Sequence, residues 1–161
     1  MINIEEMFHI GIRVPNIHTA MQEMGESLNL TWAELVENPS QSLWTPDAGQ
    51  QNIPLKFVYS CEGDHHLELL EGHPGSFWDG RENSGVHHFG VWVDDVREET
   101  ERLLSLNWNL QGAAKSPEEG FGNMTYLAPT SGMLLELVAS VNKPRFERWW
   151  SGGSFYDTSS D

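Results

Sequence analysis

The apolar and polar positions of the chain follow the same order in two halves. Each half opens with a run of β-forming residues, at 8–14 and 87–93, in which alternate positions are apolar. A residue that can cap a helix follows, Asn16 in the first half and Asp95 in the second, and apolar residues then recur at helical spacing. The pattern predicts a strand followed by an amphipathic helix, twice.

Three further strands are predicted in each half. Their positions are 31–36, 55–60 and 66–71 in the first half and 109–115, 124–128 and 133–139 in the second. Residues 37–54 are rich in proline, glycine, glutamine and asparagine, so we expect a loop excursion between strands there. The order βαβββ is therefore predicted twice.

The two halves also share sequence. FHIGIRVPNI in the first half aligns with HHFGVWVDDV in the second, and HLELLEG aligns with LLELVAS. His9 then falls on His88, and Glu68 falls on Glu136. A duplicated module explains both the order of elements and these matches.

We expect one α+β domain over residues 1–161. Its two tandem βαβββ modules, at 5–72 and 84–141, form a curved, mixed eight-stranded sheet. A short helix that has Pro144 in its first turn lies in the C-terminal segment, residues 142–161. Its aromatic residues are expected to dock it onto the domain, with a lid over a pocket as the alternative.

Histidine and glutamate occupy matching places on the first and last strand of each module. These positions are His9, Glu68, His88 and Glu136. Because side chains alternate across a strand, all four point away from the apolar positions that face the helices. Singly, such residues are common on solvated strands, but two carboxylates and two imidazoles inside a sheet need compensating charge. The sequence predicts one divalent metal ion in a cleft of the sheet, with Ni, Co, Mn, Mg, Zn and Fe all left open.

Composition limits the partners. The chain has 24 acidic and 9 basic residues and a formal charge of -15, which would repel a phosphate backbone, so we expect no nucleic acid. Cys61 is the single cysteine, which excludes a disulfide within the chain. With no basic leader and no run of about 18 apolar residues, we expect a cytoplasmic protein without a membrane partner.

The motifs FHIGIRVPN, HHFGVWVDD, LELLEG and LLELV resemble those of the vicinal oxygen chelate superfamily, which includes glyoxalase I, methylmalonyl-CoA epimerase and extradiol dioxygenases. The resemblance implies that His9, Glu68, His88 and Glu136 are the metal ligands and that the substrate is a small molecule with neighbouring oxygens. It also implies that Glu68 or Glu136 is the base that moves a proton beside a carbonyl, through an enolate that the metal stabilises.

Further expectations follow from this resemblance. Arg13 and Trp92 hold matching, metal-facing places and are the candidate substrate-binding residues, while His66 and His87 lie beside ligands and are weaker candidates. A homodimer is expected, since an open sheet would leave strand edges to cover.

The reaction implied is that of a metal-dependent isomerase, epimerase or lyase. Methylmalonyl-CoA epimerases usually show glutamine where Glu68 stands, which keeps the expectation broad. The alternatives are an iron-dependent extradiol dioxygenase, which would use two histidines and one carboxylate, and a non-catalytic binding protein of the resistance type.

Overall fold

The computed structural model describes residues 1–157 and contains eight strands and three α-helices in this range. The strands are β1 (Met7–Arg13), β2 (Val36–Thr45), β3 (Gly49–Tyr59), β4 (His66–Gly72), β5 (Gly85–Val93), β6 (Asn109–Ala113), β7 (Met124–Ala128) and β8 (Leu135–Ala139). The helices are α1 (Ile17–Leu28), α2 (Val96–Ser105) and α3 (Lys143–Trp150). The order βαβββ occurs twice, so the predicted α+β class and tandem modules are confirmed.

The eight strands form one closed sheet in the order β1-β4-β3-β2-β6-β7-β8-β5. Within each module the first strand is parallel to the last, and the two modules join where β1 and β5 pair antiparallel. The other junction, between β2 and β6, has a single described residue pair, Trp44 with Ala113. Side chains reinforce it: the Ser42 hydroxyl donates to the Ala114 carbonyl at 2.9 Å, and the Gln50 amide donates to that hydroxyl at 2.8 Å.

Closure of the sheet corrects one expectation. The homodimer was inferred from open strand edges, and a closed sheet leaves no such edges to cover. The dimer itself stays a prediction, without that reason for it.

The predicted strand at 31–36 and the predicted loop excursion at 37–54 are wrong. Strands β2 and β3 form a long hairpin through this region, and Trp32 makes only an isolated bridge to Ser60. Of the three prolines that suggested a loop, Pro46 lies in the turn of the hairpin, and Pro39 and Pro54 lie where the pairing of β2 with β3 shifts register. A proline at a bulge removes no ladder hydrogen bond, so the hairpin tolerates both.

The two module helices pack on the outside of the sheet, each starting at its predicted cap. Asn16 Oδ1 accepts from the Thr19 amide, and Asp95 Oδ1 accepts from the Glu98 amide, both at 2.9 Å. Helix α1 buries Ile17 against β3 and β4, whereas α2 packs against β7 and β8. The helices thus pack on the outer face of the sheet, one in each module, and a functional site can lie on its inner face.

Helix α3 docks onto the domain through its aromatic residues, as its sequence predicted. Trp149 is fully buried, and its indole donates to the Glu34 carbonyl at 2.9 Å. Phe146 packs edge-on against Trp92, and Trp150 stacks on His66 with ring centroids 3.8 Å apart. None of the helices in residues 1–157 is long and apolar enough to cross a bilayer.

Trp149→Ala should lower the free energy of unfolding by about 3–5 kcal/mol, because it leaves a cavity under α3 and removes a hydrogen bond. Urea titration followed by circular dichroism measures this. Leu106→Ala is the control: Leu106 is 57% exposed, and its loss should change stability by less than about 0.5 kcal/mol. Equal small effects of the two substitutions would contradict the docking of α3.

Candidate metal centre

The four predicted ligands converge inside a single chain. They lie on four consecutive strands of the closed sheet, and each is at most 6% exposed. Gly11 pairs with Glu68 on one side and His88 on the other, while Gly90 pairs with His9 and Glu136. Two rows across the strands, each with a glycine at its middle, thus place the ligands. One chain can bring all four together, and the mixing experiment described below tests whether a dimer shares them across chains.

Nitrogen and oxygen donors crowd around one point. The Nε2 atoms of His9 and His88 are 2.9 Å apart. His9 Nε2 lies 3.0 Å from Glu136 Oε2 and 3.5 Å from Glu68 Oε2, and His88 Nε2 lies 3.4 Å and 3.1 Å from the same two oxygens. Neighbouring donors around an ion with bonds of about 2.1 Å are roughly 3 Å apart, so the spacing suits one metal ion.

The two glycines explain the repeated histidine-x-glycine motif. A Cβ on Gly11 would lie 2.1 Å from Cε1 of His88, and a Cβ on Gly90 would lie 1.9 Å from Cε1 of His9. Each imidazole therefore rests over the backbone of the other module's strand, in a space that any larger residue would fill. Because glycine has no side chain, each imidazole ring can occupy this space.

Electrostatics at the centre favour positive charge. Burial alone lowers the pKa of His88, but the carboxylates of Glu136 and Glu68 outweigh it and raise that pKa to about 9. Burial likewise acts to raise the pKa of Glu136, yet the neighbouring imidazoles His88 and His9 bring it well below its ordinary value. The carboxylates thus stabilise a cation here, which is the property that a metal site requires.

A buried oxygen atom without a hydrogen-bond partner also favours a metal ion at this site. Glu68 Oε2 is buried and forms no hydrogen bond with any residue in the described range 1–157, although His88 Nε2 lies close to it. Buried polar atoms are nearly always satisfied, and a divalent ion held by His9, Glu68, His88 and Glu136 would satisfy this one. Imidazole with carboxylate suits Zn, Ni, Co, Mn and Fe better than Mg, which prefers oxygen ligands.

Two tyrosines that the sequence analysis missed flank the carboxylates. Tyr59 pairs with Glu68 across β3 and β4, and Tyr126 pairs with Glu136 across β7 and β8. Burial, and then the charges of both glutamates, raise the pKa of each phenol well above its ordinary value, so the phenols remain hydrogen-bond donors. The signal was available: two of the three tyrosines stand at matching places, shortly before the glutamate of their module.

His87 supports its neighbour. Its Nδ1 lies 3.0 Å from Nδ1 of His88, whose Nε2 faces the centre. Burial, the charge of His88 and that of Arg13 lower the pKa of His87 to about 3, so His87 is neutral and its Nδ1 can accept a hydrogen bond from the Nδ1–H of His88. His66, by contrast, hydrogen-bonds through Nδ1 to the Ser60 carbonyl at 2.6 Å and lies outside the four-residue group.

A cavity of about 250 Å³ opens beside the carboxylates of Glu68 and Glu136. Arg13 and Trp92, the predicted substrate-binding residues, are not among the residues that line it. Arg13 donates to the Phe77 carbonyl at 3.4 Å, and Trp92 stacks on a phenylalanine of β1 in the core. Their role in substrate binding stays a prediction that the lining of this cavity does not support.

Residues 8–128 match the family model of the glyoxalase/bleomycin resistance/dioxygenase superfamily. The chain belongs to this superfamily. The match ends before Glu136, so it includes three of the four proposed ligands of the superfamily member described here. Among the curated proteins, none matches the chain in sequence.

Solved structures share the fold of this superfamily member at low identity. A hypothetical protein from Bacillus halodurans is 21% identical, with a TM-score of 0.62 over 83% of this chain and 92% of the other. The methylmalonyl-CoA epimerase of Streptomyces coelicolor is 18% identical, with a TM-score of 0.57 over 83% and 93%. That of Mycobacterium tuberculosis is 16% identical, with a TM-score of 0.58 over 83% and 87%.

Gly90→Ala should abolish metal uptake with little loss of secondary structure, because the added methyl group displaces the His9 ring. Elemental analysis beside circular dichroism tests this. Gly112→Ala is the matched control, since the nearest atom to its added Cβ is the flexible tip of Leu43 at 3.2 Å. Full metal content in Gly90→Ala would show that the ring position does not matter for binding.

Proposed function

We propose that the chain is a metal-dependent isomerase, epimerase or lyase that transfers a proton beside a carbonyl group. The observation that carries this proposal is the position of Glu68 and Glu136. Both belong to the group that can hold a metal ion, and both line a mostly apolar cavity. Acid–base groups and a site for positive charge thus meet at one place where a small molecule fits.

The metal ion and the carboxylates would have different roles in this reaction. When bound, a divalent ion supplies positive charge that stabilises the anion formed as a carbon beside a carbonyl loses its proton. A glutamate carboxylate accepts this proton and returns it to the same carbon or to a neighbouring one, which gives an epimer or an isomer.

Glu68 is the better candidate for the base. Glu68 Oε2 accepts no hydrogen bond from residues 1–157 and belongs to a residue that lines the cavity. Tyr59 lies beside Glu68 and can donate a hydrogen bond that orients the carboxylate.

The four converging residues give less support to the two alternatives, a dioxygenase and a binding protein without catalysis. A ring-cleaving dioxygenase would use iron with two histidines and one carboxylate, whereas here a second carboxylate lies within the same group, all of whose donor atoms are within 4.8 Å of one another. A binding protein without catalysis has no need of four converging donors. The neighbours in structure include an epimerase bound to methylmalonyl-CoA, which makes a CoA thioester one candidate substrate.

Oligomeric state belongs to this proposal as well. We keep the homodimer and the cytoplasmic location as hypotheses, with both partners carrying complete sites. In a mixture of His9→Ala and Glu136→Ala chains, metal binding should therefore not recover, because neither chain has an intact ligand set. Light scattering gives the mass, and elemental analysis gives the metal. Recovery of about a quarter of the metal sites, which is one site in each mixed dimer when half of the dimers are mixed, would instead show that sites are shared across chains.

Solvent exchange tests the reaction. With a metal bound, the protein should introduce deuterium from D2O next to the carbonyl of a substrate, without consuming oxygen. Proton NMR can follow a panel of 2-oxo acids, hydroxyketones, 2-oxo thioesters and 2-methyl-3-oxo acyl compounds. Glu68→Gln should slow exchange about 10²–10⁴-fold, as expected for loss of a general base.

The exposed Glu37 provides the control, since its side chain is 61% exposed and Glu37→Gln should leave exchange unchanged. Oxygen uptake with a catechol and ferrous iron, together with ring-opened product, would establish the dioxygenase alternative. Ligand binding without exchange under any metal would favour the binding protein.

A further inference from the structure

We infer that a second cavity of the domain binds a small ligand that carries a primary ammonium group on an apolar chain. This cavity, of about 470 Å³, lies between α3, the start of β1 and the segment that precedes β4. It shares no lining residue with the cavity beside the two glutamates. The inference is therefore independent of the proposed function.

Buried rings form the apolar part of this second cavity. Phe8 and Trp92 stack with their ring centroids 3.8 Å apart, and Trp150 stacks on His66 at the same distance. Phe8, His66 and Trp92 are each at most 4% exposed. Trp92, whose predicted role in substrate binding the first cavity does not support, thus lines the second. An alkyl chain gains by covering such rings, and a cation is attracted to their faces.

His66 supplies a hydrogen-bond acceptor that has no partner. Its Nδ1 lies 2.6 Å from the Ser60 carbonyl, and a carbonyl can only accept, so Nδ1 carries the proton. At pH 8 an imidazole with its ordinary pKa of about 6.5 is neutral, so Nε2 carries a lone pair. Within residues 1–157 this Nε2 has no hydrogen-bond partner and is not enclosed, so it is open to the cavity that His66 lines. A ligand N–H would satisfy it.

The charges around this acceptor favour a cation. Four carboxylates and one ammonium group line the cavity, those of Glu5, Glu6, Asp64, Glu147 and Lys143. Lys143 already pairs with Glu6 at 3.3 Å, whereas the other three carboxylates form no ion pair within residues 1–157. The local charge is thus negative beside a buried nitrogen that accepts, and a positively charged donor is attracted there.

The acceptor also decides which kind of cation is favoured. A primary ammonium group has three N–H donors, so it can donate to His66 Nε2 and still face the carboxylates. A quaternary ammonium group has the same charge and would also be attracted to the rings, but it has no N–H to donate. The geometry therefore favours the primary group over the quaternary one.

Titration with butylammonium, followed by ¹H–¹⁵N NMR at pH 8 and low salt, tests the inference. The indole resonance of Trp150 should shift, and its loss in Trp150→Phe assigns it. Butyltrimethylammonium has the same charge and chain without an N–H, and it should bind at least about tenfold more weakly, as expected for the loss of a hydrogen bond from a charged donor. The neutral 1-butanol should bind more weakly than butylammonium as well, since it lacks the charge.

Variants separate charge from hydrogen bonding. Asp64→Asn and Glu147→Gln should each weaken both cations about two- to fivefold, which is the contribution of an exposed charge. His66→Phe keeps a ring against Trp150 and removes the acceptor, so it should abolish the preference for butylammonium over butyltrimethylammonium. Glu23→Gln is the control, because Glu23 is exposed on α1 and does not line the cavity.

The inference is overturned if butyltrimethylammonium binds the unaltered protein as tightly as butylammonium does. It is also overturned if Asp64→Asn and Glu147→Gln bind butylammonium as Glu23→Gln does, which would mean that the amine binds elsewhere, such as at the metal centre. Circular dichroism checks the fold of each variant. If His66→Phe does not fold, the two cations and the two exposed carboxylate variants still decide the matter.

Discussion

The cost of burying two carboxylates side by side governs the rest of this structure. Glu68 and Glu136 are each 6% exposed, and an ionised carboxylate leaves water at a cost of several kcal/mol unless a cation faces it. Two imidazoles lie close enough to share that role, and a divalent ion between the four side chains would fill it completely. The four strands that carry these residues must therefore be neighbours, which requires the two modules to pair through β1 and β5.

Pairing of the modules also explains why the histidines come with glycines. Because β1 and β5 are antiparallel, the histidine of one strand lies opposite the glycine of the other, and each ring occupies the space that a Cβ would take. A motif repeated in both modules thus builds one site with approximate twofold symmetry. Tyr59 and Tyr126 extend the symmetry outward, since each pairs across strands with the glutamate of its own module.

The sequence predicted what depends on local pattern and on the repeat. Alternation and matched positions were enough for the βαβββ order, the caps at Asn16 and Asp95, and all four converging residues. They were not enough for β2 and β3, because Pro39 and Pro54 signal a loop unless the register shift that accommodates them is known. Closure of the sheet could not be predicted from the sequence either, because it depends on the pairing of two strands that are distant in the sequence, β2 and β6.

The proposed function assigns the proton to one of the two glutamates, so the two sides of the site should differ in their surroundings. The difference begins around the tyrosines. Trp78 donates to the Tyr126 hydroxyl at 3.4 Å, which holds the Glu136 side of the site, whereas the Tyr59 ring packs against Phe146 and Trp149 of α3. Both imidazoles, by contrast, lie within 3.5 Å of each carboxylate, so they do not distinguish the two sides. Among the described ring contacts, α3 contacts Tyr59 but not Tyr126, so the segment after the duplicated modules makes the two sides of the site unequal, as the proposed use of one glutamate as the base requires.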